Sequence, residues 1–209
     1  MESQNCKVIR EFITANEARE ISQWIDSLDH SPCTKNFHMK VLTQELRGIS
    51  HMFDISRSPL SSRIVKHQSG EDVMETDLPD SVLQLHLKIA DAMKFPTSDC
   101  FVQAVRMVPP GKIAPHYDMG INGYINYKCN ISVLSDDYDF HVDKNTLRLS
   151  SRDLYCFEAS LYKHWTPAVA SRRSFLSFGF MLPYSLLGRN ENDPRVRLSQ
   201  RIEKHIQYR

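Results

Sequence analysis

The chain has 209 residues, 41% of them hydrophobic and 24% charged, with a formal net charge of +1. That is enough chain for one domain with a substantial core, and near neutrality supplies no overall attraction to nucleic acid or an anionic membrane surface. No apolar run approaches the roughly 18 residues of a membrane span, and the polar start "MESQNCKVIREF" lacks the apolar stretch of a signal peptide, so a cytoplasmic chain is expected. Five cysteines without a CxxC pair fit a reduced compartment and offer no zinc-ribbon spacing.

The first predicted elements are a short strand at "KVI" and a helix behind it. Thr14 and Glu17 have capping-box spacing, and Ile21, Trp24, Ile25 and Leu28 recur at helical intervals. Residues 30–78 carry many Ser, His and charged side chains without sustained periodicity. They read as loops and short strands, a place for a lid or substrate-facing surface. A second helix is expected from Asp80, after Pro79, with Val82, Leu83, Leu87, Ile89, Ala90 and Met93 turned inward. From Phe101 the pattern changes to short β-like runs: "FVQAVRMV", "KIAPH", "CNISVL", "YDFHV", "NTLRLS", "DLYCF" and "SFLSFGFML". Turn signals at Pro109-Pro110-Gly111, Gly120, Gly123 and Asp143-Lys144-Asn145 separate them, which suggests a sandwich or barrel. Beyond Pro194 a basic tail reads as a terminal helix with a solvated face.

Within the β-rich part, "GKIAPHYDMG" places His116 and Asp118 two residues apart, on one side of an extended strand. With nine histidines in the chain, a lone His-x-Asp means little, and a second occurs at His141 and Asp143. A facial triad of two histidines and one carboxylate leaves open metal positions and suits non-haem Fe(II) oxygen chemistry. Its third ligand must come from a later strand returning beside the first. His164 lies far enough beyond His116 for four intervening strands, but too close to His141 for such a return. Arg172 or Arg173, entering the last strand, could sit beside His164 across an antiparallel pair and bind a dicarboxylate in a bidentate fork.

His116-Tyr117-Asp118, His164 and a following Arg resemble the 2-oxoglutarate/Fe(II)-dependent dioxygenases, in their prolyl-hydroxylase-like or aspartyl/asparaginyl-hydroxylase-like branch. "RMVPPGKIAPHYD" is similar to that family's entry into its metal-bearing strand. The resemblance implies a mainly β fold with flanking helices around a double-stranded β-helix, a cupin-like jelly-roll, over residues 101–182. Residues 1–100 would pack on that core as helices and loops, and 183–209 would be a helical tail of the same single domain. It further implies His116, Asp118 and His164 as iron ligands, and Arg173 as the anchor of the distal 2-oxoglutarate carboxylate; Arg172 would point to the other strand face. Lys128 and Asn130, alternating on "NYKCNISVL", would lie against the co-substrate. The implied cofactors are Fe(II), 2-oxoglutarate and O2, with ascorbate as an optional addition. The implied activity is C–H hydroxylation of a small molecule, free or carrier-bound, or of a protein side chain, yielding succinate and CO2. Two alternatives stand beside it: an AlkB-like nucleic-acid demethylase, which the near-neutral charge disfavours, and a non-catalytic jelly-roll binding module. The chain has neither the "GGET"-like segment of prolyl 4-hydroxylases nor an Arg pair spaced as in AlkB-type enzymes.

Overall fold

From Cys100 onward the chain passes back and forth between two β-sheets. The computed structural model describes residues 6–28, 47, 49–54, 78–97, 100–120 and 123–207. The lid or substrate-facing surface expected over 30–78 lies outside the described residues, apart from Arg47, one strand and Leu78. Strands β1 (Cys6–Ile9) and β2 (Ile49–Asp54) come first, with helix α1 (Ala15–Ser27) between them, and helix α2 (Asp80–Met93) follows. Then come β3 (Cys100–Met107), β4 (Ile113–His116), β5 (Tyr124–Leu134), β6 (Tyr138–Val142) and β7 (Asn145–Leu149). The last elements are β8 (Leu154–Glu158), β9 (His164–Thr166), β10 (Arg173–Pro183) and helix α3 (Pro194–Gln207).

Six strands form one sheet in the order β1-β8-β5-β10-β3-β2, and four form the other, β4-β9-β6-β7. Neighbours in both sheets run antiparallel. This alternation is the double-stranded β-helix that the sequence led us to expect. The run at "HWT" was not among the predicted strands, because three residues are too few to display a period.

The six-stranded sheet is buried on both faces. On its outer face, Val102 and Ala104 of β3, Cys129 and Ile131 of β5, and Leu176, Phe178 and Phe180 of β10 meet Ile21 and Ile25 of α1 and Val82, Leu85 and Ile89 of α2. Removing each such aliphatic or aromatic side chain from water is worth about 1.5–3 kcal/mol. Two buried faces explain why "SFLSFGFML" is almost continuously apolar instead of alternating.

Helix α1 begins where its sequence predicts, with both arms of the Thr14–Glu17 capping box formed. Helix α2 has the expected start but a different inward stripe. Val82, Leu85, His86, Ile89 and Ala90 are buried, whereas Leu87 is 43% exposed because it falls off the i, i+3, i+4, i+7 row that begins at Val82. The tail forms the expected helix, with Arg197, Leu198 and Arg201 exposed, but its approach and first turn are tied to the core. Arg189 donates to Glu158, Asp193 and the Tyr162 hydroxyl. Arg195 pairs with Asp143 over the Tyr162 ring, and Val196 is buried.

Candidate metal centre

Strand β4 pairs with β9 so that His116 lies directly opposite His164, with ring centroids 4.3 Å apart. The return of a later strand beside the first, argued from spacing, is therefore present. Strand β4 ends at His116, so Asp118 is not on the strand proper. Its backbone N–H donates to Ala159 O at 3.1 Å, which draws the segment after β4 against the one after β8. Asn126 reinforces this link: its Nδ2 donates to Met119 O, and its carbonyl accepts from Ala159 N–H. As a result, Asp118 Oδ1 lies 3.3 Å from His116 Nε2 and 3.8 Å from His164 Nε2. The three side chains offer donors within 4.8 Å of one another.

Backbone carbonyls fix which nitrogen each imidazole presents. His116 Nδ1 bonds to Ala114 O at 2.8 Å, and His164 Nδ1 to Tyr162 O at 3.0 Å. A carbonyl only accepts, so Nδ1 carries the hydrogen in both rings. In the neutral rings the Nε2 lone pairs then face the cluster, a usual second-layer device of metal-binding histidines. Burial pushes His164 down to about 4, so its imidazole is neutral near pH 7. Burial also opposes charging His116, but the hydrogen bond and charge of Asp118 outweigh it and raise its proton affinity. For Asp118, burial favours the neutral acid. The Lys128 ammonium and the two imidazoles overcome that and hold the carboxyl well below the usual carboxylate range. The cluster thus offers one anionic and two imidazole donors, a set suited to a divalent cation.

Arg173 starts β10 on the inner face of the larger sheet and is only 1% exposed. It does not lie across an antiparallel pair from His164, as the sequence had suggested. Its register partner is Met107 of β3, and it reaches the smaller sheet through Thr166 Oγ1 at 3.3 Å. Tyr138 and Tyr155 hydroxyls each accept from Nη2 at 2.9 Å, and the guanidinium stacks 3.7 Å from the Tyr138 ring centroid. Among the described residues no carboxylate pairs with it, and its Nε has no hydrogen-bond partner. Arg172 points the other way, where its guanidinium is bound by Asp26 of α1.

Lys128 and Asn130 are both buried on β5, opposite Phe157 and Tyr155 of β8. Asn130 Oδ1 has no hydrogen-bond partner among the described residues. Lys128 Nζ lies 3.5 Å from Asp118 Oδ2. His141 is on the outer side of this arrangement, stacked on Trp165 and bonded to Thr146. Tyr138, Tyr155 and Thr166 were not singled out from sequence, because tyrosines in apolar strand runs ordinarily signal packing. Gly179, inside a strand pattern, is the sequence signal of a close approach, here by the Phe101 ring.

No protein-family model matches this sequence, and comparison with curated proteins found no match. Solved structures do share the architecture. A prolyl-4-hydroxylase of Pseudomonas putida superposes with a TM-score of 0.55 at 11% identity, over 85% of this chain and 92% of that one. An oxidoreductase of the 2OG-Fe(II) oxygenase family from Burkholderia pseudomallei gives a TM-score of 0.55 at 15% identity, over 85% and 84%. At these identities the likeness is one of fold: this chain is built on the jelly-roll core seen in those oxygenases.

Proposed function

We propose that this chain is a mononuclear Fe(II)- and 2-oxoglutarate-dependent dioxygenase. Its reaction would hydroxylate a C–H bond of a small molecule, free or carrier-bound, or of a protein side chain, and release succinate and CO2. One observation carries the proposal. A buried guanidinium with no carboxylate partner among the described residues shares the interior between the sheets with the His116, Asp118 and His164 cluster. A buried charge of this kind calls for an anion, and the cluster calls for a divalent metal.

His116 and His164 would hold the metal through Nε2 and Asp118 through Oδ1, leaving its remaining positions open. Iron bound there, together with 2-oxoglutarate and O2, supplies an oxidant able to attack an unactivated C–H bond. Arg173 offers the far carboxylate of 2-oxoglutarate its buried positive charge and its Nε–H, which has no partner among the described residues. The Tyr138 and Tyr155 hydroxyls accept from Arg173 and keep their own protons to donate. Asn130 presents an amide to the same interior. Phe140 and Phe157 pack against His164 and keep water from its buried side.

The test is succinate release from 2-oxoglutarate by the protein loaded with Fe(II) and supplied with ascorbate, against a library of small molecules and peptides. His116→Ala, Asp118→Ala and His164→Ala should each abolish it, and His141→Ala should leave it nearly intact. Activity lost in His141→Ala and kept in His116→Ala would overturn this assignment.

A further inference from the structure

Lysine is among the side chains least often buried, yet Lys128 is only 5% exposed. Among the described residues its one anionic partner is Asp118, through Oδ2 at 3.5 Å. The other side of the ammonium rests 4.5 Å from the Phe101 ring centroid, a cation–π contact. Phe101, Gly179 and Lys128 are register partners on three adjacent strands, β3, β10 and β5. The Phe101 ring crosses the middle strand where Gly179 has no side chain: a Cβ there would lie 2.2 Å from Phe101 Cζ. A glycine, an aromatic ring and an ammonium thus form a platform beneath one oxygen of the candidate metal carboxylate.

Resting on the metal centre proposed above, we infer that Lys128 is a positioning residue for Asp118. Its ammonium holds Oδ2, so that Oδ1 alone faces the two imidazole nitrogens and the carboxylate binds through one oxygen. This differs from a role against the co-substrate. It accounts for a buried charge that the co-substrate anchor Arg173 leaves unexplained. Outer-layer partners of this kind are worth about 10–100-fold in metal affinity.

Co(II) is the probe, because its binding and its visible d–d bands report ligand number and arrangement without turnover. Lys128→Met, which keeps the volume and removes the charge, should weaken Co(II) binding about tenfold and change the band pattern. Lys128→Arg should restore both toward the native values. Phe101→Leu, which removes the platform but no charge, should shift both in the same direction by less. Circular dichroism and thermal melting confirm that each variant is folded. Unchanged affinity and bands in folded Lys128→Met would overturn the inference, as would tighter Co(II) binding. So would a rise confined to the 2-oxoglutarate Kd, which would make Lys128 a co-substrate anchor. If the native protein and His116→Ala bind Co(II) equally, the metal centre itself fails. If the native protein binds and His116→Ala does not, while Lys128→Met matches the native protein, the centre stands and this inference alone falls.

Discussion

Arg173 is sealed between the sheets by two tyrosine hydroxyls and a threonine, none of which is charged. Replacing a buried, unneutralised charge with an apolar side chain of similar length commonly stabilises a fold. Arg173→Met should therefore melt at a higher temperature than the native protein when no 2-oxoglutarate is present. The native protein should gain stability as 2-oxoglutarate is added, because a ligand that binds only the folded state stabilises it by mass action, and the variant should not. In kinetics, Arg173→Gln should raise the KM for 2-oxoglutarate by an amount on the order of 2–5 kcal/mol, with Arg172→Gln close to native. Equal small effects from both substitutions would place the co-substrate elsewhere. That these two arginines take opposite faces was legible in the sequence, because strand alternation separates neighbours; the preference for Arg173 rested on the family resemblance. What Arg173 touches was not. Its tyrosine partners come from β6 and β8, and only the three-dimensional crossing of the sheets brings them to it.

At the scale of elements, α2 carries a titratable side chain into the outer core. His86 is buried between α2 and the Phe178 and Phe180 rings, with Nε2 lacking a hydrogen-bond partner among the described residues. Burial lowers its proton affinity, so below its ordinary pKa of about 6.5 the unfolded chain binds a proton that the folded chain resists. Its contribution to stability is complete above that pH and is lost as pH falls through it. Urea unfolding at pH 7.5 and 5.5 should show a larger loss for the native protein than for His86→Leu. The tail poses a second test. The Tyr162 carbonyl accepts from His164 Nδ1 and the Tyr162 hydroxyl accepts from Arg189, so the tail braces the segment that orients a candidate metal ligand. Arg189→Ala should weaken Co(II) binding several-fold without unfolding the protein, as titration followed by circular dichroism would show. Composition alone marked this tail as basic and solvated, because charge counts do not reveal which acids lie within reach. The capping box of α1 and most strand runs were legible, since each is specified by local residues. The inward stripe of α2 is not fully legible from hydrophobicity, because Leu87 is apolar yet lies off the helical row that faces the sheet.

For the whole molecule, the net charge is +1, and Arg189 and Arg195 of the tail are already engaged in ion pairs. Oligonucleotide binding should therefore be weak. Its dependence on salt should reflect at most a few phosphates, each adding about 0.7–0.9 to the log–log slope. Steep, tight binding of single strands with oxidation of a methylated base would instead favour an AlkB-like enzyme. A different consequence follows from how the site is divided. The two imidazoles stand on the four-stranded sheet and the guanidinium on the six-stranded one. A dicarboxylate chelated to the metal at one end and to Arg173 at the other would act as a rivet through two plates. Loading both ligands should then slow amide hydrogen exchange in β4 and β9 together with the start of β10, while metal alone slows only the first two. The protein would be a looser sandwich when empty and a stiffer one when charged, with its rigidity set by co-substrate supply.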